Sequence, residues 1–131
     1  MTEPVLIGYA QNKFIKDAST KAMTLYARTN GGTVAFAVNG ATYQVPVGKK
    51  MVCLWVRMHK TTIPGSMGIY ESATSGGTDT AKIVFHAEAE IGYNTAQICP
   101  TYFEVAATKY FTLNCANQAG SCIALVVECD A

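Results

Sequence analysis

Charge is scarce in this chain. Only 15% of its 131 residues are Asp, Glu, Lys or Arg, against roughly 25% in an ordinary soluble domain. Half of the residues are hydrophobic. That balance implies either a large core for the length or an outer surface covered by partners, and the second reading is favoured. No Lys/Arg cluster exceeds the pair Lys49–Lys50, which is too little for a nucleic-acid footprint. No stretch approaches the roughly 18 apolar residues needed to span a bilayer. The opening Met1-Thr-Glu-Pro-Val-Leu-Ile-Gly8 lacks the basic n-region of a signal peptide. The expectation is a protein made in a cytoplasm and soluble there, with neither nucleic acid nor membrane as partner.

Catalytic motifs are missing too. There is no G-x-S-x-G, no P-loop and no G-x-G-x-x-G, so the sequence offers neither a nucleophile elbow nor a phosphate cradle. Two histidines, His59 and His86, each fall near the end of a predicted strand. A cupin-type metal site would require a closely spaced His pair with a carboxylate and a third His. His86 and Glu88 form an H-x-E trio without the later P-C-x-x-C of the zinc deaminases. Glu88 and Glu90 share one strand face, and a solvated face is the plainer reading than a Ca²⁺ site or an acid/base pair. The expectation is no enzyme, with no catalytic, metal or cofactor-binding residue.

The five cysteines, Cys53, Cys99, Cys115, Cys122 and Cys129, are odd in number and contain no C-x-x-C pair. Cys53 and Cys129 belong to apolar runs, where a thiol acts as a small hydrophobe. Cys115 and Cys122 flank a short loop, so a disulfide is geometrically possible if the flanking strands pair. A reducing compartment favours free thiols instead. The charges are also unevenly spread: eight basic residues and two acids through Lys60, then two basic residues and seven acids. Interleaved strands would mix these signs over one surface; the other reading is copies that pair positive patch to negative.

The dominant signal is a period of two, which means strands. Predicted strands cover Val5–Tyr9, Met23–Arg28, Thr33–Val38, Ala41–Val45, Met51–Met58, Gly68–Glu71, Ala81–His86, Cys99–Val105, Tyr110–Cys115 and Cys122–Glu128. Asn39-Gly40 between two β-prone runs predicts a type I′ hairpin turn, which needs φ > 0 at both central residues. Pro46-Val-Gly48 is the next break, and Ala73–Asp79 reads as a solvated loop. Pro100 points to an edge strand, and the apolar final strand should lie inside a sheet. The fold class is therefore all-β: residues 1–131 as a single jelly-roll-like antiparallel β-sandwich of about nine or ten short strands. Gln11–Ala22 reads as an extended N-terminal arm or a short helix.

The longest apolar run, Met51–Met58, is apolar on both faces up to Arg57, which predicts a central strand covered on both sides. Val52, Leu54, Val56 and Met58 are assigned to the intradomain core. Met51, Cys53 and Trp55 then need a second cover: a loop, the N-terminal segment or a neighbouring subunit. These three residues, with Phe14 and Ile15 on the arm, are the candidate oligomer or capsid interface. Seven tyrosines, scattered over separate strands and loops, leave a glycan platform as the alternative.

The segment Tyr43-Gln-Val-Pro-Val-Gly-Lys-Lys-Met-Val-Cys-Leu-Trp-Val56 resembles a pattern of small phage virion proteins, a strand ending in V-P-x-G-K before an apolar strand. Lys109–Asn114 and Ser121–Glu128 are similar to the closing hairpin of those proteins. The resemblance is to bacteriophage head-decoration (cement) proteins and related fibre-tip domains, and it covers about a third of the chain. It implies a jelly-roll-like sandwich acting as a homotrimer on the capsid surface of a virion. The partner it implies is the major capsid protein, and no cofactor is involved. The runner-up is a receptor-binding or carbohydrate-binding module using loop 72–80.

Overall fold

The computed structural model describes residues 20–60, 65–87, 94–98, 101–116 and 119–131, with backbone alone for 60, 65, 85–87 and 94–98. Residues alternate between core and surface along the strands that period-two patterning predicted. β1 (Lys21–Thr29) buries Leu25 and Ala27 and turns Thr24, Tyr26 and Arg28 outward. β2 (Gly32–Ala35), β3 (Ala37–Val38) and β4 (Ala41–Thr42) follow. Asn39 (φ 50°) and Gly40 (φ 83°) join β3 to β4, the two positive φ angles expected of the Asn-Gly turn.

β5 (Lys49–Lys60), β6 (Gly65–Ser72), β7 (Thr80–Ala87), β8 (Asn94–Ile98), β9 (Phe103–Val105), β10 (Tyr110–Cys115) and β11 (Gly120–Asp130) complete the set. The strands form two antiparallel sheets. The larger runs β4-β3-β1-β11-β5-β8, with β9 also paired to β5; the smaller runs β2-β10-β6-β7. The chain is all-β, a jelly-roll-like sandwich. β11 lies between β1 and β5 inside the larger sheet, as its apolar sequence required. β9 is short and, among the described residues, pairs only with β5. β8 has no counterpart among the predicted strands, because Asn94-Thr-Ala-Gln-Ile98 is too polar to signal itself.

Between the sheets sits a core of Leu25, Phe36, Val45, Met51, Cys53, Val56, Met58, Met67, Ile69, Phe111, Leu113 and their neighbours. The Phe36 and Phe111 rings stack with centroids 4.1 Å apart, and Phe103 tilts against Phe111.

Two expectations are corrected here. Tyr110–Cys115 and Cys122–Glu128 do not form a hairpin, since β10 pairs in the smaller sheet and β11 in the larger. Cys115 and Cys122 both point into the core as free thiols. The face assignment along β5 is the second correction. The β5–β11 register shifts between Leu125 and Val126: Leu125 faces Trp55, whereas Val126 faces Cys53. Leu54 is the extra residue, a β-bulge that reverses the alternation. Met51, Cys53, Val56 and Met58 therefore all join the main core, while Val52 and Leu54 turn to the other face and bury against Val127 and Cys129.

The uneven charges of the two chain halves meet across the sheet. Lys49 Nζ lies 2.7 Å from Asp130, and Lys50 Nζ lies 3.4 Å from Glu104. Loop 73–79 is solvated but tied down: Asp79 accepts from the Ala73 N–H at 2.8 Å, and Thr112 Oγ1 donates to the Gly77 carbonyl at 2.8 Å.

Candidate interaction surface

Among the described residues, the outer face of the larger sheet carries a group of apolar side chains out of keeping with solvent. Its middle three strands are β1, β11 and β5, and their register sets the outward side chains in rows. One row reads Thr24, Leu125, Trp55; the next Tyr26, Ile123, Arg57; the next Arg28, Ser121, His59. Directly opposed residues in such rows stand about 5 Å apart at Cβ. Beyond the bulge the same face carries Val127, Val52, Leu54 and Cys129, all buried. The face thus grades from covered aliphatic, through uncovered apolar, to basic.

The uncovered middle is the informative zone. Tyr26 is 47% exposed, Leu125 39% and Ile123 37%, and Trp55 beside them is half-buried. These side chains cannot turn inward, because their strand neighbours Leu25, Ala27, Ala124 and Val56 already occupy the core. At the basic end Arg57, His59, Ser121 and Ile123 line an open depression of about 260 Å³. The chain's only two arginines, Arg28 and Arg57, both lie on this face. No Asp or Glu projects from the outer side of β1, β11 or β5, and Glu104, on the neighbouring β9, is held by Lys50.

Of the five residues assigned to an interface from the sequence, the fold brings one to this surface. Trp55 is there. Met51 and Cys53 are fully buried in the main core, because the bulge at Leu54 turns them inward. Phe14 and Ile15 lie outside the described residues, as do Tyr9, Tyr93, Glu88 and Glu90. Tyr26, Arg28, Arg57, Ile123 and Leu125 were missed. Their signal was present for β1, where Tyr26 and Arg28 alternate with Leu25 and Ala27. It was hidden in β11, where both faces are apolar. The described tyrosines form no platform: Tyr43 is buried, Tyr70 and Tyr110 are half-buried, and Tyr26 and Tyr102 lie on separate strands or loops.

This face offers contact chemistry, with aromatic and aliphatic side chains beside two guanidiniums. Burial pushes the Cys53 thiol up to about 11 and raises Cys122 as well, so both stay protonated near neutrality and are poor nucleophiles. Ser121 and His59 are cross-strand neighbours, and Arg28 and Arg57 stand beside them on this face. Among the described residues no group of three His, Cys, Asp or Glu is placed to hold a metal ion, and no helix is long and apolar enough to cross a membrane.

No protein-family model and no curated protein matches this chain. Among solved structures, the acid-stable capsid of the Helicobacter pylori bacteriophage KHP30 is similar at 9% identity and a TM-score of 0.48, over 87% of this chain and 95% of that one. A disulfide-linked pilus from Bacillus endospore appendages follows at 11% identity and 0.41, over 86% and 88%. The virus-like particle of the extra small virus of the prawn Macrobrachium rosenbergii has 13% identity and 0.40, over 99% and 87%. Likenesses of this size leave the function to be argued from the chain itself.

Proposed function

We propose that this chain is a non-enzymatic structural protein of a phage virion, a decoration or cement protein that reinforces the capsid by surface burial. The observation that carries the reading is the exposed field of Tyr26, Ile123 and Leu125, with half-buried Trp55 beside them, on a sheet whose inner face is already filled by the core. An aromatic and aliphatic patch that is neither core nor scattered singly marks a contact surface. The likeness of Tyr43–Val56 to the strand pattern of head-decoration proteins supports the same role. The mechanism needs no reacting group. Each copy lays this face over a joint between capsid subunits, and that contact must break before the shell opens. A homotrimer would link three such footprints, so that weak single contacts gain avidity.

The test is attachment to empty capsids of the phage that encodes the chain. Saturable, stoichiometric binding is expected, with particles lacking the protein bursting at lower temperature. Trp55→Ala with Leu125→Ala should abolish attachment while leaving the circular dichroism spectrum unchanged. A protein that left capsid stability unaltered and competed with phage for host cells would be a receptor-binding module instead, and the cement reading would fall.

A further inference from the structure

The described acids of this chain are all engaged within it. Glu71 pairs with Lys82 at 3.1 Å, Glu104 with Lys50 and Asp130 with Lys49. Asp79 accepts from the Ala73 N–H and Glu128 from the Tyr43 hydroxyl. The arginines are the opposite case. Among the described residues neither Arg28 nor Arg57 has an acidic partner, and both stand exposed on the same sheet face. Arginine keeps its charge at any physiological pH, and its planar fork matches a carboxylate with two parallel hydrogen bonds. Two unpaired guanidiniums beside Trp55 and Tyr26 bring together the three residue types that dominate binding energy at protein interfaces.

We infer that the Arg28–Arg57 end of this face docks an acidic protein surface, whose carboxylates meet the two guanidiniums while its apolar side chains cover Tyr26, Ile123 and Trp55. This rests on the contact-surface reading above and adds the chemistry of the partner. Charge complementarity selects the occupant. A second copy of this chain has no unengaged carboxylate to offer among its described residues. A nucleic-acid backbone needs a longer line of cations than two arginines, and it would leave the aliphatic half of the patch uncovered. A partner carrying both acids and apolar groups satisfies the whole field. The arginines then set orientation and encounter rate, and the apolar rows hold the complex.

The probe is a short synthetic peptide of interspersed glutamates and leucines, fluorescein-labelled, titrated with the full chain by fluorescence anisotropy. Binding is expected to weaken steeply with added salt and to fall at least about tenfold in the Arg28→Ala/Arg57→Ala double variant. Arg28→Lys/Arg57→Lys should recover part of that loss, because charge returns without the fork. Equal binding by wild type and the double alanine variant would overturn the inference. So would preference for labelled sialyllactose through the same arginines, or self-association of the chain that the double variant abolishes. Peptide binding that depends on the arginines, in a protein that does not attach to capsids, would remove the cement reading and leave the acidic partner standing. Attachment to capsids unaffected by the double variant would do the reverse.

Discussion

The hydroxyl of Tyr43 donates a 3.0 Å hydrogen bond to the carboxylate of Glu128, joining residues 85 apart in the chain. Tyr43 lies just beyond β4 and is buried, and Glu128 sits near the end of β11. The bond ties the early hairpin to the central strand of the same sheet. Tyr43→Phe keeps the ring and removes the donor, leaving a half-buried carboxylate short of a partner. A loss of about 2 kcal/mol is expected from urea denaturation. Glu128→Gln, which retains an acceptor, should lose less.

The bulge at Leu54 is predicted to be the register device of β5. Leu54→Ala removes a buried side chain from the small outer cluster and should cost about 3 kcal/mol. Leu125→Ala, on the same face but 39% exposed, should cost less than about 1 kcal/mol. Deleting Leu54 outright is the stronger test. It removes the extra residue and restores strict alternation, with Met51, Cys53, Val56 and Met58 still facing the core. The near-ultraviolet circular dichroism and a cooperative thermal transition should therefore be kept, at a lower Tm from the loss of the buried Leu54 side chain. A deletion variant that lost its cooperative transition would show that Leu54 is not the extra residue of the β5 register.

Thr108 is a β-branched residue at φ 66°, a left-handed conformation that costs such a residue of order 1–3 kcal/mol. Its backbone is held by the Val45 carbonyl at 2.7 Å and by the Gln44 side-chain amide at 2.8 Å. Neither contact uses the threonine hydroxyl. Thr108→Gly should therefore stabilise the protein, by about 1 kcal/mol after the extra freedom of glycine in the unfolded chain is counted. Differential scanning calorimetry would register a raised Tm; a lowered one would show that the side chain contributes more than the backbone strain costs.

Alkaline pH should unfold the protein through its core. Burial raises Cys53 to about 11 from an ordinary value near 9. It raises Cys122 further, and it raises Tyr43 with help from the Glu128 charge. All three groups are neutral when protonated, and the native state holds those protons more tightly than the unfolded chain. Stability is thus complete below about pH 9 and falls as pH climbs through the native values. The slope should be roughly 1 kcal/mol per pH unit for each thiol still protonated. Urea midpoints measured under reducing conditions should be flat from about pH 6 to 8 and decline above 9. Cys122→Ala should decline less steeply; an unchanged slope would exclude that thiol as a cause.

Much of the architecture was legible because strand alternation is a local property. Tyr26 and Arg28 had to face away from Leu25 and Ala27, and Asn39-Gly40 had to turn. The surface was less legible. A strand apolar on both sides, such as Met51–Met58, carries no periodic mark of which side is core, and a single bulged residue swaps the answer. Nothing local in Met51 or Cys53 distinguishes a core residue from an interface residue. The same ambiguity hid Ile123 and Leu125 in β11.

The sequence by itself determined the all-β class, the central placement of β11 and the shortage of charge that points to covered surface. These follow from side-chain period and composition, which act residue by residue. Only the tertiary structure decided which apolar residues remain outside and that both arginines stand beside Trp55 and Tyr26. It also decided that β10 and β11 part into different sheets. Those outcomes depend on strand pairing between segments far apart in the chain, where one bulge or one crossover moves a whole row of side chains from one face to the other.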